Sequence, residues 1–115
     1  MLYDTAHQLA REIRESEEYR EYEALKKEVM GDETQAALIR EYKKLQISIQ
    51  MANLQGQTPG AEDMQRFSAL NTLLFSKPEV SQYIMAEVRM HMAMSDILKI
   101  VMEAADLEMN LPGIG

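Results

Sequence analysis

The chain has no cysteine among its 115 residues. That excludes disulfides, thiolate metal sites and a catalytic thiol together, and it fits a reducing compartment. Tryptophan is also absent, aromatics make up only 6% and β-branched runs are missing, so a strand-rich fold is not expected. Proline and glycine are scarce, at three and five. Pro59-Gly60 and Pro112-Gly113 account for half of them, which leaves long stretches where a helix can run unbroken. No window approaches the roughly 18 uncharged apolar residues that a membrane span requires. The opening residues, MLYDTAHQLAREIRE, carry charge throughout and lack the apolar stretch of a signal peptide. A cytoplasmic protein without a membrane partner is expected.

Positive charge is the scarcer sign, with 12 Lys and Arg against 19 Asp and Glu and a net charge of −7. Phosphates would be repelled, so no direct nucleic-acid partner is expected. The length suits one domain with a modest core. Residues 1–109 read as a single helical domain and residues 110–115 as a flexible C-terminal tail.

What is there is helical periodicity. Ala6, Leu9, Ala10 and Ile13 form one apolar stripe of a helix that begins near Asp4 or Thr5. Ser16 then resembles an N-cap, with Glu17 and Glu18 in the turn where the helix dipole favours negative charge. Whether Ser16 breaks the helix or only bends it stays open in the sequence. Tyr19, Tyr22, Leu25 and Val29 share the next face, and Gly31-Asp32 reads as a C-terminal cap followed by a new N-cap. From there to about Leu54 a heptad seam runs through Leu38, Tyr42, Leu45, Ile49 and Ala52, widened by Ile47, Met51 and Leu54.

The stretch from Gln55 to Gly60 is the clearest loop. Thr58 and Pro59 read as cap and first helical residue of a short helix carrying Met64, Phe67, Leu70, Leu74 and Phe75. Lys77-Pro78 ends that helix. The longest segment follows, from Glu79 to about Leu107, with Val80, Ile84, His91, Met94, Leu98 and Val101 on one face and Tyr83, Val88, Ile97 and Met102 broadening it. Such a helix spans ~40 Å at 1.5 Å per residue. Shorter neighbours in so small a domain do not cover that length, and an unshared apolar face commonly meets a second copy. The expected fold is all-α: an antiparallel helical hairpin or bundle of about four to five helices, two of them long, that oligomerises.

Motifs for chemistry are missing. Only His7 and His91 are available as imidazoles, and the sequence holds no phosphate-binding loop, no dinucleotide fingerprint and no serine-nucleophile elbow. The acidic run Glu15, Glu17, Glu18, Glu21 and Glu23 is interleaved with Arg20, Lys26 and Lys27 and reads as a solvated face. Arg40, Lys43 and Lys44 form a compact basic cluster, read as a polar face ahead of a docking patch. No catalytic residue, metal ligand or cofactor is expected. The alternative is a small-ligand or soft-metal site in the Met-rich segment 85–94, since thioethers and imidazole suit soft metals. Methionine is also the adaptable filler of helical interiors, which is the plainer reading.

One family shares this order of elements. Tyr3 to Tyr22, with Tyr-Asp-x-Ala-x-x-Leu-Ala-x-x-Ile-Arg-Glu-Ser-Glu-Glu-Tyr-Arg-Glu-Tyr, resembles the start of the bacterial YlbF/YmcA family, which includes YheA. Asp32 through Leu45-Gln46, the glycine-containing loop, the Lys77-Pro78 break and the helix around Asp96-Ile97-Leu98 are similar in order and spacing. The resemblance implies an all-helical, self-associating regulatory protein without catalytic residues. It further implies a link to ribonuclease Y, because some members are partners of that enzyme in messenger-RNA processing and affect competence, sporulation and biofilm formation. Certain members carry iron–sulfur clusters on cysteines, a role this cysteine-free chain does not share. The expected function is therefore non-enzymatic protein–protein interaction, with the chain itself as homodimer or higher and other regulatory proteins or ribonuclease Y as partners. The side chains expected to carry self-association are Leu38, Tyr42, Leu45 and Ile49 with Ile84, Val88, His91 and Leu98.

Overall fold

The computed structural model describes residues 1–106. Five helices follow in order: α1 (Leu2–Glu15), α2 (Glu17–Met30), α3 (Glu33–Leu54), α4 (Ala61–Phe75) and α5 (Pro78–Ala104). The described residues contain no strand, so the fold is all-α. The expected tail, 110–115, and the expected helix end at Leu107 lie outside the described residues. Among those described, no helix is long and apolar enough to cross a membrane.

Local chemistry sets each boundary. Ser16 breaks the chain between α1 and α2, with an extended backbone at φ −68° and ψ 151°. Its hydroxyl donates to the Ile13 carbonyl at 2.6 Å and accepts from the Tyr19 N–H at 3.2 Å. One side chain thus closes the end of α1 and caps the start of α2. Asp32 caps α3 in the same manner, accepting from Thr34 N–H at 2.9 Å and Gln35 N–H at 3.3 Å. α3 ends in a Schellman turn: Gln57 N–H donates to the Ala52 carbonyl at 2.8 Å and Gly56 N–H to Asn53 at 3.1 Å. Gly56 takes φ +72° there, a conformation that glycine adopts without strain.

Two expectations are corrected and one is refined. α1 begins at Leu2 rather than near Asp4, and Asp4 falls in its first turn. Gly31 directly follows the last residue of α2, as a C-terminal cap should, but it does so without the positive φ that Gly56 takes. Gly31 is there for space: a Cβ would stand 2.9 Å from the Lys27 carbonyl oxygen. Pro59 is not the first residue of α4 either. Gly60, extended at ψ 141°, precedes Ala61, and this register puts Glu62 and Asp63 in the opening turn beside the unpaired N–H groups. The Lys77-Pro78 step separates α4 from α5 as expected, and Pro78 itself becomes the first residue of α5.

The chain forms two compact units, residues 24–83 and residues 1–23 together with the chain from Ile84 onward. The first holds most of the core: Val29, Ala36, Ile39, Tyr42, Leu70, Leu74, Val80 and Tyr83 are buried. α3 and α4 run antiparallel, since Glu41 meets Arg66 while Gln35, one and a half turns earlier, meets Lys77. Tyr42 stacks on Phe67 with centroids 4.9 Å apart, meets Phe75 edge-on at 6.1 Å, and donates its hydroxyl to Asn71 at 3.3 Å. In the second unit Ala86 alone is fully buried among the described residues, and α1 contributes no buried residue.

A buried amide ties α2 to α3. Gln35 Nε2 donates to the Val29 carbonyl at 2.7 Å, and Lys77 Nζ donates to Gln35 Oε1 at 3.2 Å. The Val29 carbonyl sits near the last turn of α2, where intrahelical donors have run out. Gln35→Leu removes that donor while keeping the volume similar. The substitution is expected to cost about 1–3 kcal/mol, the desolvation penalty of an orphaned buried carbonyl, read as a lower midpoint in urea unfolding with an unchanged slope.

Candidate interaction surface

α3 presents two faces. Its N-terminal half packs Ala36, Ile39 and Tyr42 inward, while the second stripe of its C-terminal half, Ile47, Met51 and Leu54, is exposed. Of the association residues proposed from sequence, Tyr42 is buried, and Leu38, Leu45 and Ile49 are half-buried. On α5, Ile84 and Leu98 are half-buried, and Val88 and His91 are exposed. Tyr42 thus packs within the chain, while the other seven keep half-buried or exposed area. The apolar pattern groups Val88 with Tyr83 and Ile97; five residues from the buried Tyr83, it has rotated past a third of the helix and faces away.

Within the unit formed by residues 1–23 and the chain from Ile84, α5 again has two sides. One lines an open groove of about 330 Å³, floored by Ile13 and Ser16 with Met90, Ala93, Met94 and Ile97. Glu12 and Glu18 stand at its rim. The other side carries Met85, Val88, Met92 and Ile100, all exposed. The Met-rich segment is thus divided: Met90 and Met94 face the groove, and Met85 and Met92 project from the opposite side. Thioethers split between two faces of one helix do not converge on a single ion. Among the described residues, no group of three or more His, Asp or Glu is placed to hold a metal.

Charged groups are mostly at the surface. Glu21 and Arg89 pair at 3.4 Å with both side chains about half exposed. Lys43, one of the basic cluster, is half-buried against Tyr83, its ammonium 5.3 Å from the ring centroid and 3.3 Å from the hydroxyl. Arg40 and Lys44 stay exposed, so the cluster is divided rather than displayed as one patch. The Arg66 guanidinium grips Glu41 through two hydrogen bonds, at 2.6 and 2.9 Å. Those bonds hold the Glu41 carboxyl below the usual carboxylate range, and burial holds the Tyr42 hydroxyl above the usual tyrosine range.

The residues missed in the sequence are Gln35, a polar side chain in the core, and the exposed Met85, Met92 and Ile100 that share a face with the expected Val88. A glutamine three residues past an N-cap is ordinary capping-box sequence, so nothing marks it as buried. The α5 face is hidden because its apolar positions are interrupted by Arg89, Asp96 and Lys99.

The family described as control of competence regulator ComK, YlbF/YmcA, matches residues 2–105. A UPF0342 protein of Halothermothrix orenii is 39% identical over 100 residues, covering 87% of this chain and 85% of its own. UPF0342 proteins of Desulfitobacterium hafniense and Symbiobacterium thermophilum are 35% and 32% identical, covering 90% and 94% of this chain and 83% and 96% of theirs. None of these relatives is named for an enzymatic activity. A solved structure, a protein of unknown function (DUF964) from Bacillus stearothermophilus, superposes with a TM-score of 0.71 at 18% identity, covering 91% of this chain and 92% of that one. At that identity the likeness shows the fold.

Glu41 supplies a test of the local electrostatics. Its carboxyl should titrate below an ordinary glutamate because Arg66 hydrogen-bonds its charged form, and Arg66→Gln should move it back up. A lowered folded-state pKa means the pair's stabilisation is present above the unfolded value and is lost as pH falls through the folded one. Exposure keeps that contribution small. Carboxyl carbon shifts across an acid titration of both proteins measure it, and equal midpoints would dissolve the pairing.

Proposed function

Because the chain belongs to the YlbF/YmcA family, described as control of competence regulator ComK, we propose that it is a cytoplasmic, non-enzymatic regulatory protein that works by binding other proteins and its own copies. The observation that carries this reading is a pair of separate apolar stripes left uncovered, Ile47, Met51 and Leu54 on α3 and Met85, Val88, Met92 and Ile100 on α5, all exposed. Contiguous apolar stripes on a chain of this size are costly in water and are characteristic of contact surfaces. Among the described residues no group of three or more His, Asp or Glu is placed to hold a metal, and binding is the activity that such exposed apolar stripes support.

The finer reading is a homodimer or higher assembly that engages ribonuclease Y, in keeping with the roles of some family members. Its support is the family relationship together with the exposed stripes. Titration of the purified chain into purified ribonuclease Y, followed calorimetrically, tests that partner. Saturable heat at a fixed stoichiometry is expected, and a flat titration would remove ribonuclease Y from the proposal.

Self-association is tested separately by light scattering behind a sizing column across a dilution series. A dimer or larger is expected at micromolar concentration. Leu45→Asp, which sets a charge on a half-buried position of α3, is expected to lower both the melting temperature and the oligomer mass. A variant with parental mass and stability would take Leu45 out of the contact.

A further inference from the structure

On α5 one exposed face mirrors itself. Met85, Val88, Arg89, Met92, Asp96 and Ile100 fall within about a third of the helix circumference, and the four apolar members are 55, 51, 61 and 68% exposed in chain order. Two pairs of this face, Arg89 with Asp96 and Met85 with Ile100, are centred on the midpoint between Met92 and Ala93. Arg89 and Asp96, of opposite charge, lie equally far from it, about 5 Å along the axis at 1.5 Å per residue. Met85 and Ile100 lie equally far as well, about 11 Å out. A two-fold axis through that midpoint therefore brings Arg89 of one copy onto Asp96 of the other, twice. It also brings Met85 onto Ile100, twice, with the two Met92 side chains meeting at the centre.

We propose that this face is an isologous contact in which α5 packs antiparallel on α5 of a second copy, registered by two Arg89–Asp96 pairs. The proposal rests on the reading of the chain as self-associating and names the surface that does it. Self-complementarity is what a two-fold contact requires, because each patch must be its own partner. A parallel pairing would set Arg89 on Arg89 and Asp96 on Asp96, so the same charges that favour the antiparallel register oppose the alternative. The groove against Ile13 and Ser16 lies on another side of α5, so a copy docked on this face does not compete with it. The Arg89 contact to Glu21, at 3.4 Å between exposed groups, is weak enough to be shared or exchanged when Asp96 of another copy arrives.

The test uses reciprocal charge reversal in the full chain. Arg89→Asp sets two carboxylates against each other across the axis, and Asp96→Arg sets two guanidinium groups against each other. Each is expected to weaken dimerisation by about tenfold or more, since two like-charge contacts replace two attractive ones. Mixing the two variants in equal amounts restores an opposite-charge pair at both sites, one with the native polarity and one reversed. A heterodimer of parental affinity is then expected by light scattering. The double variant Arg89→Asp/Asp96→Arg reverses both pairs and should likewise recover a homodimer, which separates a lost contact from a lost fold. Since the chain has no native cysteine, Met92→Cys should oxidise to a covalent dimer faster than His91→Cys, one residue around the helix.

A parent that is monomeric at every concentration would overturn the self-association reading and this contact with it. A parent that associates, with single reversals that associate equally well, would overturn the α5 face and leave self-association to another surface. Single variants that dissociate but are not rescued by mixing would overturn the antiparallel register.

Discussion

A helix buries its apolar side chains only where another element lies alongside it, and here the helices are unequal. α5 has 27 residues and α3 has 22, against 15 in α4 and 14 in each of α1 and α2. Short companions cover part of a long helix and leave the remainder to water. The effect is plain on α3, where Ala36, Ile39 and Tyr42 are buried against the rest of residues 24–83 while Ile47, Met51 and Leu54, further along the same helix, are exposed. Burying each such side chain is worth about 1.5–3 kcal/mol. A chain that leaves several of them exposed keeps that free energy available for association.

The buried half is specified with some care. Tyr42 contacts two aromatic rings and a side-chain acceptor, which fixes the rotation of α3 against α4. Gln35 fixes the α2–α3 corner, because its amide serves the Val29 carbonyl on one side and accepts from Lys77 on the other. A polar group in that position tolerates only one geometry, since a displaced amide would strand a buried carbonyl. The apolar contacts supply stabilisation without direction, and the hydrogen bonds choose the register.

Punctuation is the most legible part of the sequence. Ser16, Asp32, the loop around Gly56 and the Lys77-Pro78 step all mark boundaries because each acts on neighbouring backbone groups within a few residues. That locality is why the five-helix order can be read directly. The roles of Gly31 and Pro59 escape such a reading for the opposite reason. A glycine required by a nearby carbonyl oxygen and one required by positive φ carry the same letter, and the register choice between Pro59 and Ala61 depends on the extended Gly60 between them. Faces are less legible than boundaries. On α5 a face of mixed charge and methionine does not register as an apolar stripe, although its exposure is evident once Met85, Met92 and Ile100 are located.

The division of α5 into two sides bears on what kind of regulator this chain can be. With Met90 and Met94 turned to the groove and Met85 and Met92 turned away, one helix offers two distinct apolar surfaces, and a copy bound on one leaves the other free. Methionine suits both, because its unbranched and polarisable side chain adapts to partners of different shape. Glu12 and Glu18 line the groove beside its thioethers, so that side of α5 is the more acidic of the two. Under the proposed binding role, the two sides of α5 are two contact surfaces of different charge, one of which can be filled while the other stays open.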